Sequence, residues 1–459
     1  MEQNNYRGHV VVVPYPCQGH INPLLQFAKR LASKGVKATF ATTQYTLASV
    51  TAANITVEAI SDGFDEGGYT QAKDEAVFLK AFKTNGTRTL SRLIRKFQNT
   101  SFPVDCIVYD SFIPWALDVA KQHYIQGAAF FTNSAVELTI TACVYHGLLT
   151  LPVKSENTPL LLPGLPPMNF RDLPNFFKSP ETHPAYTAMK LNQFSNLGMV
   201  DWILGNTFQD LEGKDQESVS KLWPGKMIGP MVPSFYLDGR VEGDKGYGAS
   251  LWKPLNEECL GWLETKSPKS VVYISFGSMV SLTIQQMEEL AWAFKESDFN
   301  FLWVIRESEH GKLPSGFKES IDEKGMLVTW CNQLELLAHE ATGCFVTHCG
   351  WNSTLEGLSL GVPMVGMPQW ADQFTNAKHI EEIWRVGVRV KEDEKGIVTR
   401  EEMVKSLNEV MVESEKGKEI ERNGRKWSQL AKEAVDEGGC SDKHINDFVQ
   451  HLLPANRRK

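Results

Sequence analysis

Short runs of β-branched apolar residues, each followed by a stretch with helical periodicity, recur along most of this chain, and that alternation restricts it to α/β architecture with parallel sheets. His9 to Pro14 (HVVVVP) reads as a buried parallel strand, Leu24 to Leu31 as the helix after it, and Val36 to Thr42 as the next strand. Cys106 to Tyr109 and Gly127 to Phe131 read as later strands of the same sheet. Between about Met231 and Pro254 the pattern lapses into MVPSFYLDGRVEGDKGYGASLWKP, rich in Gly, Pro, Asp and Lys, the composition of a linker. The alternation then resumes, with strands expected at Ser270 to Ser275, Phe301 to Ile305, Met326 to Thr329, Cys344 to Thr347 and Pro363 to Met367. Because 459 residues exceed one ordinary core, the expectation is two doubly wound, Rossmann-like domains facing a central cleft. These are residues 1–235, a linker over 236–254, and residues 255–440. The last helical segment, 441–459, carries an apolar face from Asp442 to Leu453 suited to either domain, with return to the N-terminal one as the working assignment.

Composition narrows the function classes. A net charge of −8 with no long basic run gives no footprint for a phosphate backbone, so nucleic acid is not an expected partner. No stretch approaches the ~20 apolar residues of a membrane span, and Val10 to Val13 is too short for a signal-peptide core, so the expectation is a cytosolic protein. The eight cysteines show no CxxC or Cys/His metal spacing and read as reduced core thiols.

Doubly wound domains bind ligands at the carboxyl ends of their strands. In Cys344 to Glu356, CFVTHCGWNSTLE, a strand ends in His348 and a helix begins near Trp351, with Gly350 allowing a sharp turn. The N–H groups of Trp351, Asn352 and Ser353 then lie at the positive end of a helix, an anion site to which the Ser353 hydroxyl and a His348 ring N–H can add. A diphosphate can be held this way without lysine or metal. Glu356, three and four residues past Ser353 and Asn352, lies on the same helical face and can accept from ribose hydroxyls. Asp372 and Gln373 begin the next helix at another strand end, a carboxylate and an amide suited to sugar hydroxyls, and Trp330 follows a strand where its indole can stack on a base. Each has a plainer reading: a core histidine, helix caps, a solvated charge, a packing tryptophan. Neither GxGxxG nor GxxxxGK[ST] occurs to favour NAD or ATP.

At the end of the first strand, Pro14-Tyr-Pro-Cys-Gln-Gly-His20 leads into a helix from Ile21 and places His20 at a switch-point position. A neutral imidazole with a pKa near 6.5 can take a proton from an attacking hydroxyl. Asp110, ending Cys106-Ile-Val-Tyr-Asp, can hold the other ring nitrogen, although a histidine and an aspartate this far apart in sequence do not by themselves make a pair.

The stretch Trp330 to Gln373, WCNQLELLAHEATGCFVTHCGWNSTLEGLSLGVPMVGMPQWADQ, closely resembles the signature box of plant secondary-product UDP-glycosyltransferases, and the resemblance extends over essentially the whole chain. It implies the GT-B fold, donor binding in the C-terminal domain and family-1 inverting chemistry without metal or cofactor, UDP-glucose being a co-substrate. Carried over by position, Trp330 stacks on uracil and Cys331 offers its backbone to the base edge. Gln333 and Glu356 hold the ribose. His348, Asn352 and Ser353 bind the diphosphate, with Gly350 in the same turn and Ser278 of Phe276-Gly277-Ser278 helping. Trp351, Asp372 and Gln373 surround the sugar, where a closing glutamine accompanies glucose. His20 matches the family's catalytic histidine, Asp110 its supporting aspartate, and Thr132 a residue that reaches the donor sugar. The implied partners are a UDP-sugar and a small apolar acceptor, phenolic, terpenoid or steroid, and the expected state is a monomer. Tyr15, Cys17, Phe112, Trp115 and the segment Phe176 to Tyr186 are the apolar candidates for the acceptor pocket. The sequence is most similar to the branch acting on salicylate and anthranilate. Rivals are a transferase using another UDP-sugar and a nucleotide-sugar sensor without catalysis, the latter disfavoured by the presence of both His20 and Asp110.

Overall fold

The computed structural model describes residues 6–213 and 222–452. Residues 1–5 and 214–221 of the expected N-terminal domain, and 453–459 of the expected C-terminal segment, lie outside the described residues.

The apolar runs become strands because a parallel sheet covered on both faces has no polar side for a strand to show. The first sheet is built from β1 (His9–Val13), β2 (Lys37–Thr43), β3 (Thr56–Ile60), β4 (Cys106–Asp110), β5 (Gln126–Phe131), β6 (Trp202–Gly205) and β7 (Lys226–Met227). Its order is β3-β2-β1-β4-β5-β6-β7, parallel throughout. Side chains alternate across it. Val11 and Val13 pack with Phe78, Phe82 and Trp115 on one face, and Val10 and Val12 with Leu24, Phe27 and Phe448 on the other. The second sheet contains β8 (Val271–Ser275), β9 (Asn300–Val304), β10 (Gly325–Val328), β11 (Thr342–Thr347), β12 (Met364–Gly366) and β13 (Gly387–Arg389), in the parallel order β10-β9-β8-β11-β12-β13.

In each sheet the winding direction reverses once, between β1 and β4 in the first and between β8 and β11 in the second. These switch points leave open crevices at the carboxyl ends of the strands.

The chain forms two compact units. The first comprises the described residues up to Phe170, Asn175–Leu251 and those from Glu433 onward; the second comprises Arg171–Pro174 and Trp252–Lys432. The segment read as a linker is no loose tether. Asp238 pairs with Arg30 at 3.0 Å and Asp244 with Lys29 at 2.9 Å, all four side chains being nearly buried against the helix Gln18–Ser33. Its Gly- and Asp-rich composition serves turns and paired carboxylates within the first unit. The helix Cys440–Gln450 also folds with the first unit: Ile445, Phe448 and Val449 on one helical face, with Leu452 just past its end, join the core cluster around β1, where Phe448 meets Phe27 and Trp202. Each such side chain contributes about 1.5–3 kcal/mol by burial. No helix among the described residues is long and apolar enough to cross a membrane.

Candidate active site

The first cluster lies at the β1/β4 switch point. Register pairs Val13 with Tyr109, so the residues that follow β1 and the last residue of β4 meet despite their separation in sequence. His20, in the first turn of the helix Gln18–Ser33, brings Nδ1 to 2.6 Å from Asp110 Oδ2, and the Thr132 hydroxyl, just past β5, lies 3.2 Å from the same nitrogen. Asp110 is completely buried; its Oδ1 accepts the Phe112 N–H at 3.0 Å and its Oδ2 the Tyr15 N–H at 3.3 Å. The carboxylate is therefore aimed by backbone donors, and it in turn aims the ring. Burial works against charge on His20, but the Asp110 carboxylate, helped by the Cys17 sulfur, outweighs it and raises the pKa from 6.5 to about 10. The expectation of an ordinary imidazole near 6.5 is corrected accordingly.

Around the ring stand Phe112, centroid 4.7 Å away, and Tyr15 at 5.6 Å, while Cys17 begins the helix and is half-buried. Tyr186 lies edge-on to Phe112 at 6.3 Å and Phe176 adjoins Tyr186 at 5.4 Å, so the segment Phe176 to Tyr186 does reach this cluster. Trp115 packs elsewhere. Its indole lies edge-on to Phe82 and fills the space left by Gly86, where an added Cβ would fall 2.5 Å from the ring, which makes it a core residue rather than a neighbour of His20. Sequence reasoning missed Lys190. Its ammonium, 1% exposed, pairs with the buried Glu137 at 2.9 Å and sits 5.1 Å from the Phe112 ring centre, and no local pattern announces a partner this remote in sequence.

The second cluster lies at the β8/β11 switch point. His348 follows β11 and its ring is wedged between two glycines: an added Cβ would stand 2.7 Å from Nε2 at Gly277 and 2.5 Å at Gly350. Gly277 also needs its hydrogen for backbone reasons, having φ +72°. The sharp turn expected at Gly350 is made one residue earlier, by Cys349 at φ +63°, whereas Gly350 has an ordinary φ of −59°. What Gly350 supplies is room for the imidazole. Burial pushes the His348 pKa down to about 4, offset only partly by the Ser275 backbone, so the ring is neutral at physiological pH. Gly350 gives the helix Trp351–Leu360 no side-chain cap.

Gln333, first residue of the helix Gln333–Leu337, donates to the Ser353 hydroxyl at 2.9 Å and to Glu356 Oε2 at 2.5 Å, bringing three candidates from two helices together; Tyr273 donates to Gln333 Oε1 at 3.3 Å. Trp330 is half-buried, its carbonyl accepting from Leu255 N–H at 2.9 Å, and its indole lies tilted against Trp252 with centroids 4.5 Å apart, an aromatic partner that sequence reasoning did not single out. Cys331 is buried, with Sγ 3.4 Å from the Tyr273 hydroxyl. The Ser278 carbonyl is held by Arg306 at 2.5 Å. Asn352 is half-buried in the first turn of Trp351–Leu360. Trp351, the first residue of that helix, is 4% exposed, and its indole lies 6.1 Å from that of Trp384.

Asp372 precedes the short helix Gln373–Lys378. Gln373 Oε1 accepts the N–H groups of Gln369 and Trp370 at 2.9 and 3.0 Å, which assigns its amide orientation and leaves the NH2 as the donor end. Asn376, also missed, donates from Nδ2 both to the Cys349 carbonyl and to Asp372 Oδ2, each at 2.9 Å. It ties the strained turn after His348 to the start of this helix. The sequence does hold Asn376 one turn after Asp372, but nothing local links it to Cys349.

Residues 226–432 match the model of the UDP-glucoronosyl and UDP-glucosyl transferase family, and residues 8–62 the model of a glycosyltransferase N-terminal domain. UDP-glycosyltransferase 74B1 of Arabidopsis thaliana is 48% identical over 97% of this chain and 98% of its own length. Flavonol 7-O-beta-glucosyltransferase UGT74F1 of the same plant is 47% identical with the same coverage. The crystal structure of Os79 from O. sativa in complex with UDP superposes with a TM-score of 0.91 at 38% identity, covering 97% of this chain and 100% of that one. The two parallel-sheet units are those of the GT-B fold, and the chain belongs to the plant family of UDP-glycosyltransferases, enzymes that transfer a sugar from a UDP-sugar to a small-molecule acceptor.

Proposed function

We propose that this enzyme transfers glucose from UDP-glucose, with inversion, to a hydroxyl or carboxyl group of a small, largely apolar acceptor, His20 acting as general base. The observation that carries the reading is the committed Nδ1 of His20: with that nitrogen held by Asp110 and Thr132, Nε2 is the one that can meet an acceptor hydroxyl. The base removes the hydroxyl proton as the oxygen attacks the anomeric carbon. Asp110 stabilises the imidazolium, and the bond to the UDP oxygen breaks on the opposite face of the sugar. A donor with α linkage then gives a β-glucoside, in keeping with the β-glucosyltransferase among the relatives.

In the second unit Trp330 stacks on uracil, Cys331 bonds the base edge through its backbone, and Gln333 with Glu356 holds the ribose. The start of the helix Trp351–Leu360, Ser353 and neutral His348, with Ser278, meet the diphosphate and stabilise charge developing on the leaving UDP. Asp372 and the NH2 of Gln373 bind the sugar hydroxyls. Tyr15, Cys17, Phe112, Phe176 and Tyr186 form the apolar surroundings of the acceptor, and the acceptor is not narrowed further than small and largely apolar.

The test is incubation with UDP-glucose and a panel of phenols, aromatic acids, triterpenes and steroids, following UDP release and assigning the product anomer by NMR. A β-glucoside is expected. An α-glucoside rules out the single displacement, and product from another UDP-sugar in preference to UDP-glucose rules out glucose as the donor sugar.

Gly350→Ala should weaken UDP binding by about tenfold or more, a loss of roughly 1.4 kcal/mol, because the new Cβ would press on His348 at 2.5 Å and shift either the ring or the helix start. Calorimetric titration with UDP reads this directly; unchanged affinity would mean that neither group meets the diphosphate.

A further inference from the structure

We propose that Asp172 is a positioning residue for the sugar end of the donor site; the inference rests on the reading above that Asp372 and Gln373 meet the sugar. Arg171–Pro174 folds with the second unit although the chain on both sides of it folds with the first. Within that segment Asp172 is completely buried. Its Oδ1 accepts from Arg389 at 2.9 Å, its Oδ2 lies 3.2 Å from Lys378 Nζ, and its carbonyl accepts from the Thr375 hydroxyl at 2.8 Å. Arg389 spends a second N–H on the Arg171 carbonyl at 2.9 Å. Lys378 and Arg389 are themselves largely buried, and Asp172 is a fully buried carboxylate facing both, Lys378 having a second partner in the half-exposed Glu382 at 2.6 Å.

Thr375 and Lys378 both belong to the helix Gln373–Lys378, which Asp372 and Gln373 begin. That helix has six residues and passes at once into a π turn, His379–Ile383. A helix this short does not hold itself, because a single turn costs more in chain entropy than its hydrogen bonds return. Its direction is set by bonds made elsewhere. Asn376 ties it to the turn after His348, and Asp172 holds its middle and end through Thr375 and Lys378. Releasing Asp172 frees the helix to turn about the Asn376 attachment, which displaces Asp372 and the Gln373 amide while leaving Trp330, Gln333 and Glu356 undisturbed. A residue from the N-terminal half of the chain thereby governs how well the sugar, and not the nucleotide, is held.

The experiment uses the full chain and the variants Asp172→Asn, Asp172→Glu and Thr375→Val, with dissociation constants for UDP and UDP-glucose and kcat and KM for glucose transfer. For Asp172→Asn the UDP constant should stay within about twofold, while the UDP-glucose constant and KM rise about tenfold relative to it. Asp172→Glu, which keeps the charge, should recover part of the loss. Thr375→Val removes one bond without touching a charge and should move the same ratio in the same direction by about threefold. If the Asp172 variants do not fold, Thr375→Val carries the test. An unchanged ratio of the two constants overturns the inference, as does a parallel fall in both affinities, the mark of a merely structural residue. A wild-type enzyme that binds UDP but does not discriminate among UDP-sugars would instead defeat the reading of Asp372 and Gln373 on which the inference rests.

Discussion

Replacing His20 with alanine should lower kcat for hydroxyl acceptors by about 10²–10⁴-fold, with little change in the affinity for UDP-glucose. The ring is bonded to Asp110 and Thr132, and the residues assigned to the nucleotide are others, so its loss is expected to remove proton transfer while donor binding persists. Carboxylic acid acceptors provide an internal control. They are already ionised at neutral pH and need no base, so their glucosylation should fall far less. Steady-state rates for a phenol and an aromatic acid on the same preparation decide it: equal losses on both would mean that His20 shapes the acceptor pocket and does not move the proton.

Asp110→Asn should show the second large effect, and its sign follows from the pKa of the pair. In the wild type the carboxylate holds the His20 pKa well above the ordinary value, to about 10, so the neutral base form is the minor one at pH 7 and its fraction grows with pH. kcat/KM for hydroxyl acceptors should therefore rise by about tenfold per pH unit through neutrality and flatten only on the alkaline side. In Asp110→Asn the main cause of the rise is gone and burial is opposed only by the Cys17 sulfur, which moves the rising limb to lower pH. The plateau should nevertheless fall by about two to four orders of magnitude, because an amide neither stabilises the imidazolium nor fixes the ring as the anion does. A pH–rate profile of the two proteins is the measurement. An ascending limb at the same pH in both would remove Asp110 as the source of the shift, and an unchanged plateau would remove it as the support of the base.

Much of the fold was legible because local pattern and tertiary environment agree in parallel sheets. β1, β2, β4, β5, β8, β9, β11 and β12 are largely buried on both faces, and their apolar runs stand out in sequence, as does the apolar run of the partly buried β10. β3, most of whose residues are partly exposed, and β7, with only two residues, present no such run, and β6 and β13 were not legible either. The donor cluster was legible for a related reason. Gln333, His348, Ser353 and Glu356 lie within one contiguous stretch whose strand–turn–helix spacing already places them near each other. Within that stretch the backbone detail was not legible: the turn is made by Cys349, while Gly350 makes room for His348.

The sequence by itself determined the α/β class, the division into two parallel-sheet domains and the family, because periodicity and a contiguous signature survive without knowledge of what lies next to what. Only the tertiary structure decided the pairing of His20 with Asp110 and the resulting rise in pKa, the bridge from Asn376 to Cys349, the removal of Trp115 to the core and the lodging of Asp172 between Arg389 and Lys378. These depend on which strands become neighbours and on how far water is excluded between them. Distance and burial set the strength of every such interaction, and neither is written in the order of residues along the chain.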